Sequence, residues 1–390
     1  MINGVKTIGI IGGGQLGLMM LEFIRRLGLK VAVLDPDPNC PCAKRVDHYI
    51  DAKSFNDRVA FLRLAQASDV ITYEFEHINV ALLRILEQAG HKIYPSVDSL
   101  AIIQDKYTQN LAMEKFGIEV PKFVAIPNME ELNAYWCRYE KKPFMLKSRF
   151  GGYDGKGNFL VQHEQDLETA FKQLGGYAGE DRLMAEELVK FKRELSVVAT
   201  RGLDGSCVFY PVAENTHKNS ILDTTCIYDS KVDLFGNEWL GEGVWDQAVD
   251  LSRKVMECFD GVGSFCTEMF EADGRLLVNE VAPRVHNSGH PTLDACVTSQ
   301  FENHIRAILG LTLGSTEMTT PFAAMKNIIG CENGKIIGFE GREKAVDLGA
   351  HVHIYDKAAS KVGRKLGHFT ICGKDAYGLL KKINIKAIVR

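Results

Sequence analysis

At 390 residues the chain is longer than one ordinary core supports, so two or three domains are expected. Its 46% hydrophobic and 25% charged residues have the balance of a soluble globular protein, and a net charge of −4 excludes a global field toward nucleic acid or an anionic membrane. No apolar run approaches the ~20 residues of a membrane helix, the start shows no signal-peptide pattern, and ten scattered cysteines without zinc-finger spacing, the lone Cys40/Cys42 pair included, fit free thiols in a reducing cytoplasm.

The first hundred residues alternate strands and helices. Thr7 to Ile11 is an apolar run ending in Gly12-Gly13-Gly14, Leu16 to Leu27 has helical spacing, and Val31 to Asp35 is a second buried strand. Val70 to Glu74 and Lys92 to Pro95 make a third and a fourth, the pattern of a parallel sheet with helices on both faces. A new unit starts near Gln104-Asp105-Lys106, with a helix to Phe116, a strand at Phe144 to Lys147 and a glycine loop at Gly151 to Gly157. Glu194 to Thr200 and Cys207 to Val212 alternate like antiparallel strands, and short strands such as His351 to Tyr355 fill the end of the chain. The units expected are about 1–105, about 106–305 and about 306–390.

The first glycine loop, Ile8 to Gly17, ends a strand and opens a helix, with Asp35 closing the next strand. That layout places backbone N–H groups where an anion binds and is shared with dinucleotide-binding folds. The glycines equally serve close helix–sheet packing, and Gln15 stands where a dinucleotide site has a small or apolar residue. The second loop, Gly151-Gly152-Tyr153-Asp154-Gly155-Lys156-Gly157, can lie over phosphates. Lys147 and Lys156 add positive charge, and the spacing is not that of a P-loop.

Two further runs, Phe265 to Phe270 and Leu276 to Val281, form a hairpin around Ala272-Asp273-Gly274-Arg275. Glu268 and Glu280 share one face, and strict alternation turns Asn279 to the other unless the strand twists. Two carboxylates and an amide oxygen are hard ligands that suit Mg2+ carrying nucleotide phosphates, with Mn2+ as the substitute ion. A solvated hairpin face is the bland alternative, against which stands the cost of an unpaired Glu280 among Leu277, Val278 and Val281.

At this point the residues resemble the ATP-grasp superfamily, in the order Lys106, Lys147, glycine flap, Glu186-Glu187-Leu188-Val189, Glu194, Glu268 and Asn279-Glu280. From end to end the chain is similar to the 5-(carboxyamino)imidazole ribonucleotide synthase family. The marks are Gly12-Gly13-Gly14-Gln15-Leu16-Gly17, Thr72-Tyr73-Glu74-Phe75-Glu76, the flap, Glu214-Asn215 with His217, Arg284-Val285-His286-Asn287-Ser288-Gly289-His290, and Gly363-Arg364-Lys365-Leu366-Gly367-His368. It departs from the family at Asp356, where Gly is usual, and in 358–362, which lacks the usual Arg-Pro.

The resemblance implies an N-terminal Rossmann-like parallel-sheet domain, a central two-lobed ATP-grasp domain of α+β build, and a small β-rich C-terminal domain. It implies that ATP lies between the lobes. The Glu186 to Val189 backbone would meet adenine and Glu194 the ribose hydroxyls, with His217 also in the ATP site. Lys106, Lys147, Asn158 and the flap from Gly152 to Gly157 would hold phosphates, and Glu268 and Glu280, beside Asn279, the metal. Gln15, Leu16, Glu74, Lys357, Arg364 and Lys365 would bind the ribonucleotide. Arg284, by its two-pronged donors, with His286 and Asn287 would hold bicarbonate, while Tyr153 and Asp154 would meet the substrate amine, Asp154 as proton acceptor. His290 is a second histidine candidate. His351 and His353 share a strand face and read as an ordinary face rather than a metal pair. The implied activity is ATP-dependent carboxylation of aminoimidazole ribonucleotide by a cytoplasmic homodimer in purine biosynthesis. The alternatives are a formate-dependent glycinamide ribonucleotide ligase, a nicotinamide-dependent reductase, and a non-catalytic binding module.

Overall fold

The computed structural model describes residues 2–152, 155–179, 181–229 and 243–390. The four apolar runs of the first hundred residues form a parallel sheet, joined by a fifth strand that sequence reading missed. The order is His48–Asp51, Lys30–Asp35, Thr7–Ile11, Val70–Tyr73, Lys92–Ile93. His48–Asp51 escaped notice because it is an edge strand with one buried residue, Ile50, and so carries no apolar run. Alternation sends Ile8, Ile10, Val31 and Val33 to one face, under helix Gln15–Arg26. Ala32, Leu34, Ile71 and Tyr73 go to the other, under helices Arg58–Ala67 and Val80–Gln88.

Two antiparallel sheets follow. The smaller has the order Phe123–Ile126, Leu183–Glu187, Phe144–Ser148, Asn158–Val161. Helices Met129–Arg138 and Asp166–Gln173 back it through Leu132, Trp136, Leu167 and Phe171. The larger is nine-stranded among the described residues. It runs from the acidic hairpin Arg275–Ala282 and Gly263–Ala272 through Arg193–Arg201, Ala213–Lys218 and Ile221–Tyr228, and on into Phe322–Ile329, Lys365–Cys372 and His351–Ile354. Thr224 pairs with Lys326 and Thr225 with Met325, so the sheet passes unbroken from the central unit into the last. Gly334–Glu340, Ala359–Ser360 and Lys386–Val389 make a separate three-stranded sheet.

The parallel domain is held to this sheet by helix Gln300–Ile308, whose Phe301, Ile305 and Ile308 enter the core under Gln15–Arg26. His304 is the polar part of that seam. Its Nδ1 accepts the Ser264 N–H at 3.0 Å, so Nε2 carries the proton and donates to Thr72 Oγ1 at 2.8 Å. Burial pushes this imidazole down from 6.5 to about 4. An unfolded chain takes up its proton below about pH 6.5, while the folded one resists to about pH 4. His304 therefore supports the fold fully above pH 6.5 and withdraws that support as pH falls to about 4. Between pH 7 and 5 the wild type is expected to lose about 2 kcal/mol from this group. Thermal unfolding of His304→Gln should show a shallower pH slope; an equal slope would assign the acid sensitivity elsewhere.

Candidate active site

The acidic hairpin turns through Asp273 (φ 51°) and Gly274 (φ 74°), the pair of left-handed residues a two-residue turn requires. Its register sets Glu268 opposite Glu280 and Thr267 opposite Val281, but Met269 opposite Val278. Asn279 is thus an extra residue, a bulge. Sequence alternation put Asn279 on the far face. The bulge breaks that alternation, and Asn279 and Glu280 emerge together, half-buried, between buried Val278 and Val281.

Two lysines meet this edge, Lys147 from the smaller sheet and Lys106 from a helix packed on the large one. Lys147, 6% exposed, lies 3.3 Å from Asn279 Oδ1 and forms an ion pair with Glu186. Glu186 is itself 3% exposed, so its side chain faces Lys147 and its backbone is left for any adenine contact. Lys106, at the start of helix Lys106–Lys115, forms an ion pair with Glu280. Asn158 sits opposite Lys147 in the hairpin that carries the flap. Gly155 shows why the flap is glycine-rich: a Cβ there would lie 2.2 Å from Ser220 Cβ, on the turn between Ala213–Lys218 and Ile221–Tyr228. Tyr153 and Asp154 lie outside the described residues. Glu194 and His217 pair with each other across neighbouring strands.

Burial alone would raise the Glu268 carboxyl, but the hydrogen bond from His286 Nε2 and the charges of His217 and Lys106 hold it below the usual carboxylate range. His286 Nε2 is 2.9 Å from Glu268 Oε1. The donor set Glu268, Asn279, Glu280 is all oxygen, and the ammonium of Lys106 on Glu280 stands in for a cation there, so the residues fit a divalent ion carrying phosphates.

Arg284 is placed differently from its expected role. The two-pronged donor face assigned to bicarbonate lies on Glu76, with Nη2 3.0 Å from Oε1 and Nε bonded to Oε2, while Nη1 donates to the Val285 carbonyl at 3.1 Å. A buried guanidinium requires such a counter-charge. Against the upward push of burial, Arg284 draws Glu76 down to about 2. Asn287 is locked in a reciprocal amide pair with Asn327, at 2.8 and 3.2 Å. Sequence reading missed Asn327, although a lone amide in the apolar strand Phe322–Ile329 was a usable signal. His290 is fully buried, and burial with the nearby charges of Lys365 and Arg284 keeps it neutral.

The first glycine loop is already filled. Glu74 accepts from the N–H groups of Gly14 and Gly17, at 2.5 and 2.7 Å, and Asp35 accepts from Gly13 at 2.7 Å. A Cβ on Gly14 would lie 2.3 Å from Glu74 Oε1. Carboxylates of the chain itself thus occupy the donors a dinucleotide phosphate would need. Gln15 opens the helix, and Leu16 lies in the core, leaving its backbone for a ligand. Lys357 lies 5.7 Å from the Tyr355 ring centroid, and its charge reaches Glu74. Arg364 donates to the Ala359 carbonyl, and the charge of Lys365 reaches His217 and His290. Asp356, where the family usually has Gly, keeps a left-handed φ of 51° and pairs with Arg45 of the parallel domain.

His353 donates toward Asp294 at 3.1 Å, His351 approaches the same carboxylate at 3.7 Å, and His368 completes a cluster. The rings of His353 and His368 lie nearly parallel, 16° apart with centroids at 4.6 Å, so their lone pairs do not converge on one ion. His368 Nδ1 bonds to the Tyr355 hydroxyl at 2.8 Å, making this a stacked, hydrogen-bonded group behind the site.

Comparison with known proteins agrees with this geometry. Residues 5–104 match the ribonucleotide synthetase preATP-grasp domain, 111–301 the ATP-grasp domain, and 323–382 the phosphoribosylaminoimidazole carboxylase C-terminal domain. N5-carboxyaminoimidazole ribonucleotide synthase of Bacillus subtilis is 40% identical over 93% of this chain and 90% of its own. That of Staphylococcus aureus is 36% identical over 95% and 93%. The crystal structure of the Staphylococcus aureus synthetase with ADP has a TM-score of 0.85 at 34% identity, covering 98% of this chain and 96% of that one. The Aspergillus clavatus synthase with ADP and 5-aminoimidazole ribonucleotide has a TM-score of 0.81 at 31% identity, covering 97% of each. The chain belongs to the N5-carboxyaminoimidazole ribonucleotide synthase family of ATP-grasp enzymes.

Proposed function

We propose that this chain uses ATP to join bicarbonate to the amine of 5-aminoimidazole ribonucleotide, giving N5-carboxyaminoimidazole ribonucleotide, ADP and phosphate in purine biosynthesis. The observation that carries the reading is Glu268 directly across from Glu280, with bulged Asn279 beside it, meeting Lys106 from helix Lys106–Lys115 and Lys147 from the smaller sheet.

A bicarbonate oxygen attacks the γ-phosphorus and the bond to ADP breaks, forming carboxyphosphate. The amine nitrogen then attacks the carboxyl carbon, phosphate leaves, and the amine proton passes to a base, in this reading Asp154. Phosphoryl transfer of this kind rests on positioning and charge. Lys106 and Lys147 neutralise phosphate oxygens, Lys106 moving off Glu280 as the nucleotide arrives. Glu268 and Glu280, with Asn279, would hold Mg2+, or Mn2+ in its place; a bound ion supplies charge neutralisation at the β- and γ-phosphates. Glu194 and His217 take the sugar. The flap closes toward Ser220 and keeps water from the anhydride. Lys357, Arg364 and Lys365 attract the ribonucleotide phosphate, with Gln15 and the Leu16 backbone bordering its pocket. The outer N–H groups of Arg284, with His286 and Asn287, border the bicarbonate. A homodimer and a cytoplasmic location go with this reading; the free cysteines suit a reducing compartment.

The test is ADP release with each acceptor and acyl source. Release stimulated jointly by bicarbonate and aminoimidazole ribonucleotide is expected. Stimulation by formate and glycinamide ribonucleotide instead would reject the reading.

A further inference from the structure

Beneath Glu268 runs a chain of buried hydrogen bonds that the reaction as described does not use. Thr225 Oγ1 donates to Asn215 Oδ1 at 2.9 Å, and Asn215 Nδ2 donates to Ser196 Oγ at 2.8 Å. Ser196 Oγ donates to Ser288 Oγ at 2.7 Å, and Ser288 Oγ lies 2.9 Å from His286 Nδ1. All four relay residues are buried: Thr225 0%, Ser196 1%, Ser288 1% and Asn215 8% exposed. They come from three strands of the large sheet and the short helix Asn287–Gly289.

The direction of the chain is set at both ends. The Asn215 carbonyl is engaged by Thr225, which leaves its amide to donate to Ser196. Ser288 then accepts from Ser196 and turns its own hydrogen to His286. The Ser288 main-chain N–H also points at Nδ1, at 3.3 Å, and an N–H can only donate. Cys266 Sγ, 3.7 Å from Ser288 Oγ, is a weak partner that can donate or accept, so it is the main-chain N–H that fixes the order at Nδ1. Nδ1 is therefore an acceptor, and the ring proton sits on Nε2, facing Glu268 Oε1 at 2.9 Å. Burial opposes a second proton on this ring, and Cys266 with Glu268 pull the other way, raising it from 6.5 to about 10; against that second proton stand the two donors at Nδ1. The hydrogen-bond geometry decides in favour of the single proton on Nε2.

We propose that Thr225, Asn215, Ser196 and Ser288 form a one-directional relay that fixes His286 as the Nε2–H tautomer. In that form His286 clamps one oxygen of Glu268 and leaves the other aimed at the metal–nucleotide. This rests on the proposed role of Glu268 and adds four positioning residues to it. Partners behind a metal-ligating carboxylate orient it, and their loss commonly weakens metal binding by about 10–100-fold.

The experiment joins a spectroscopic and a kinetic readout. In protein labelled with 15N-histidine, with His286 assigned through His286→Asn, the wild type should show the nitrogen shifts of a single Nε2–H tautomer. Ser196→Ala should shift His286 toward a tautomer mixture. It should also raise the Mg2+ concentration for half-maximal turnover about tenfold, with KM for aminoimidazole ribonucleotide unchanged. Ser196→Thr, which keeps the hydroxyl, should restore both. Thr225→Val, isosteric at the far end, gives the same signs to a smaller degree and serves if Ser196→Ala folds poorly. An unchanged His286 pattern in the Ala and Val variants overturns the relay, as does a Thr variant no better than Ala. The shifts are read without substrate, so they judge the relay even if the carboxylation assay fails.

Discussion

Glu280→Ala should lower the ATP turnover stimulated by bicarbonate and aminoimidazole ribonucleotide by about a thousandfold. A metal ion at the transferring phosphoryl group contributes several kcal/mol of transition-state stabilisation, and each ~1.4 kcal/mol is tenfold in rate. Glu280 combines the properties of a ligand: its side chain is 38% exposed at the lobe interface, it lies opposite Glu268, and it already holds the ammonium of Lys106. Removing it strips one carboxylate from the metal set and releases Lys106 from its resting partner. The fold should remain, because the flanking Val278 and Val281 keep their places in the core. The measurement is ADP release with a thermal melt on the same sample. A folded variant within tenfold of wild type would place the phosphates elsewhere and dismantle the proposed site.

Much of this site was legible because its residues sit in short runs whose pattern has a physical reason. In Thr72-Tyr73-Glu74-Phe75-Glu76 the alternate side chains each reach a distant partner: Thr72 meets His304, Glu74 the first glycine loop, and Glu76 the Arg284 guanidinium. The acidic hairpin was readable from its turn and its two apolar strands. What escaped notice was register and long-range pairing. A bulge adds one residue to one strand, and nothing local in Val278-Asn279-Glu280-Val281 distinguishes it from plain alternation. The continuity of the large sheet into Phe322–Ile329 joins strands about a hundred residues apart, which no window of sequence contains. Arg284 was read from its neighbours as a bicarbonate clamp, while its partner Glu76 lies 208 positions away in the parallel domain. Asp356 is the opposite case, a visible departure whose reason, the ion pair with Arg45, appears only when the two domains meet.

The Arg284–Glu76 pair also offers a way to separate support of the fold from chemistry at one residue. Both side chains are largely buried, 15% and 19% exposed, and they join the end of the metal-bearing strand to the parallel domain. Glu76→Ala leaves a guanidinium without its counter-charge and should destabilise the protein by about 3–5 kcal/mol. Replacing both partners by apolar residues of similar volume, Glu76→Leu with Arg284→Met, removes the uncompensated charge and should return stability close to wild type. Folded Glu76 has its pKa drawn from 4.5 to about 2, so the pair's contribution is complete above pH 4.5 and fades as pH falls through about 2. Denaturant unfolding at pH 7 and at pH 5 should therefore give the same ranking. Activity answers the other half. If the outer N–H groups of Arg284 also border bicarbonate, the stable double variant stays inactive, and raising bicarbonate does not restore it. A double variant that is both stable and active would confine Arg284 to holding the domains together, leaving bicarbonate to His286, Asn287 and the lysines.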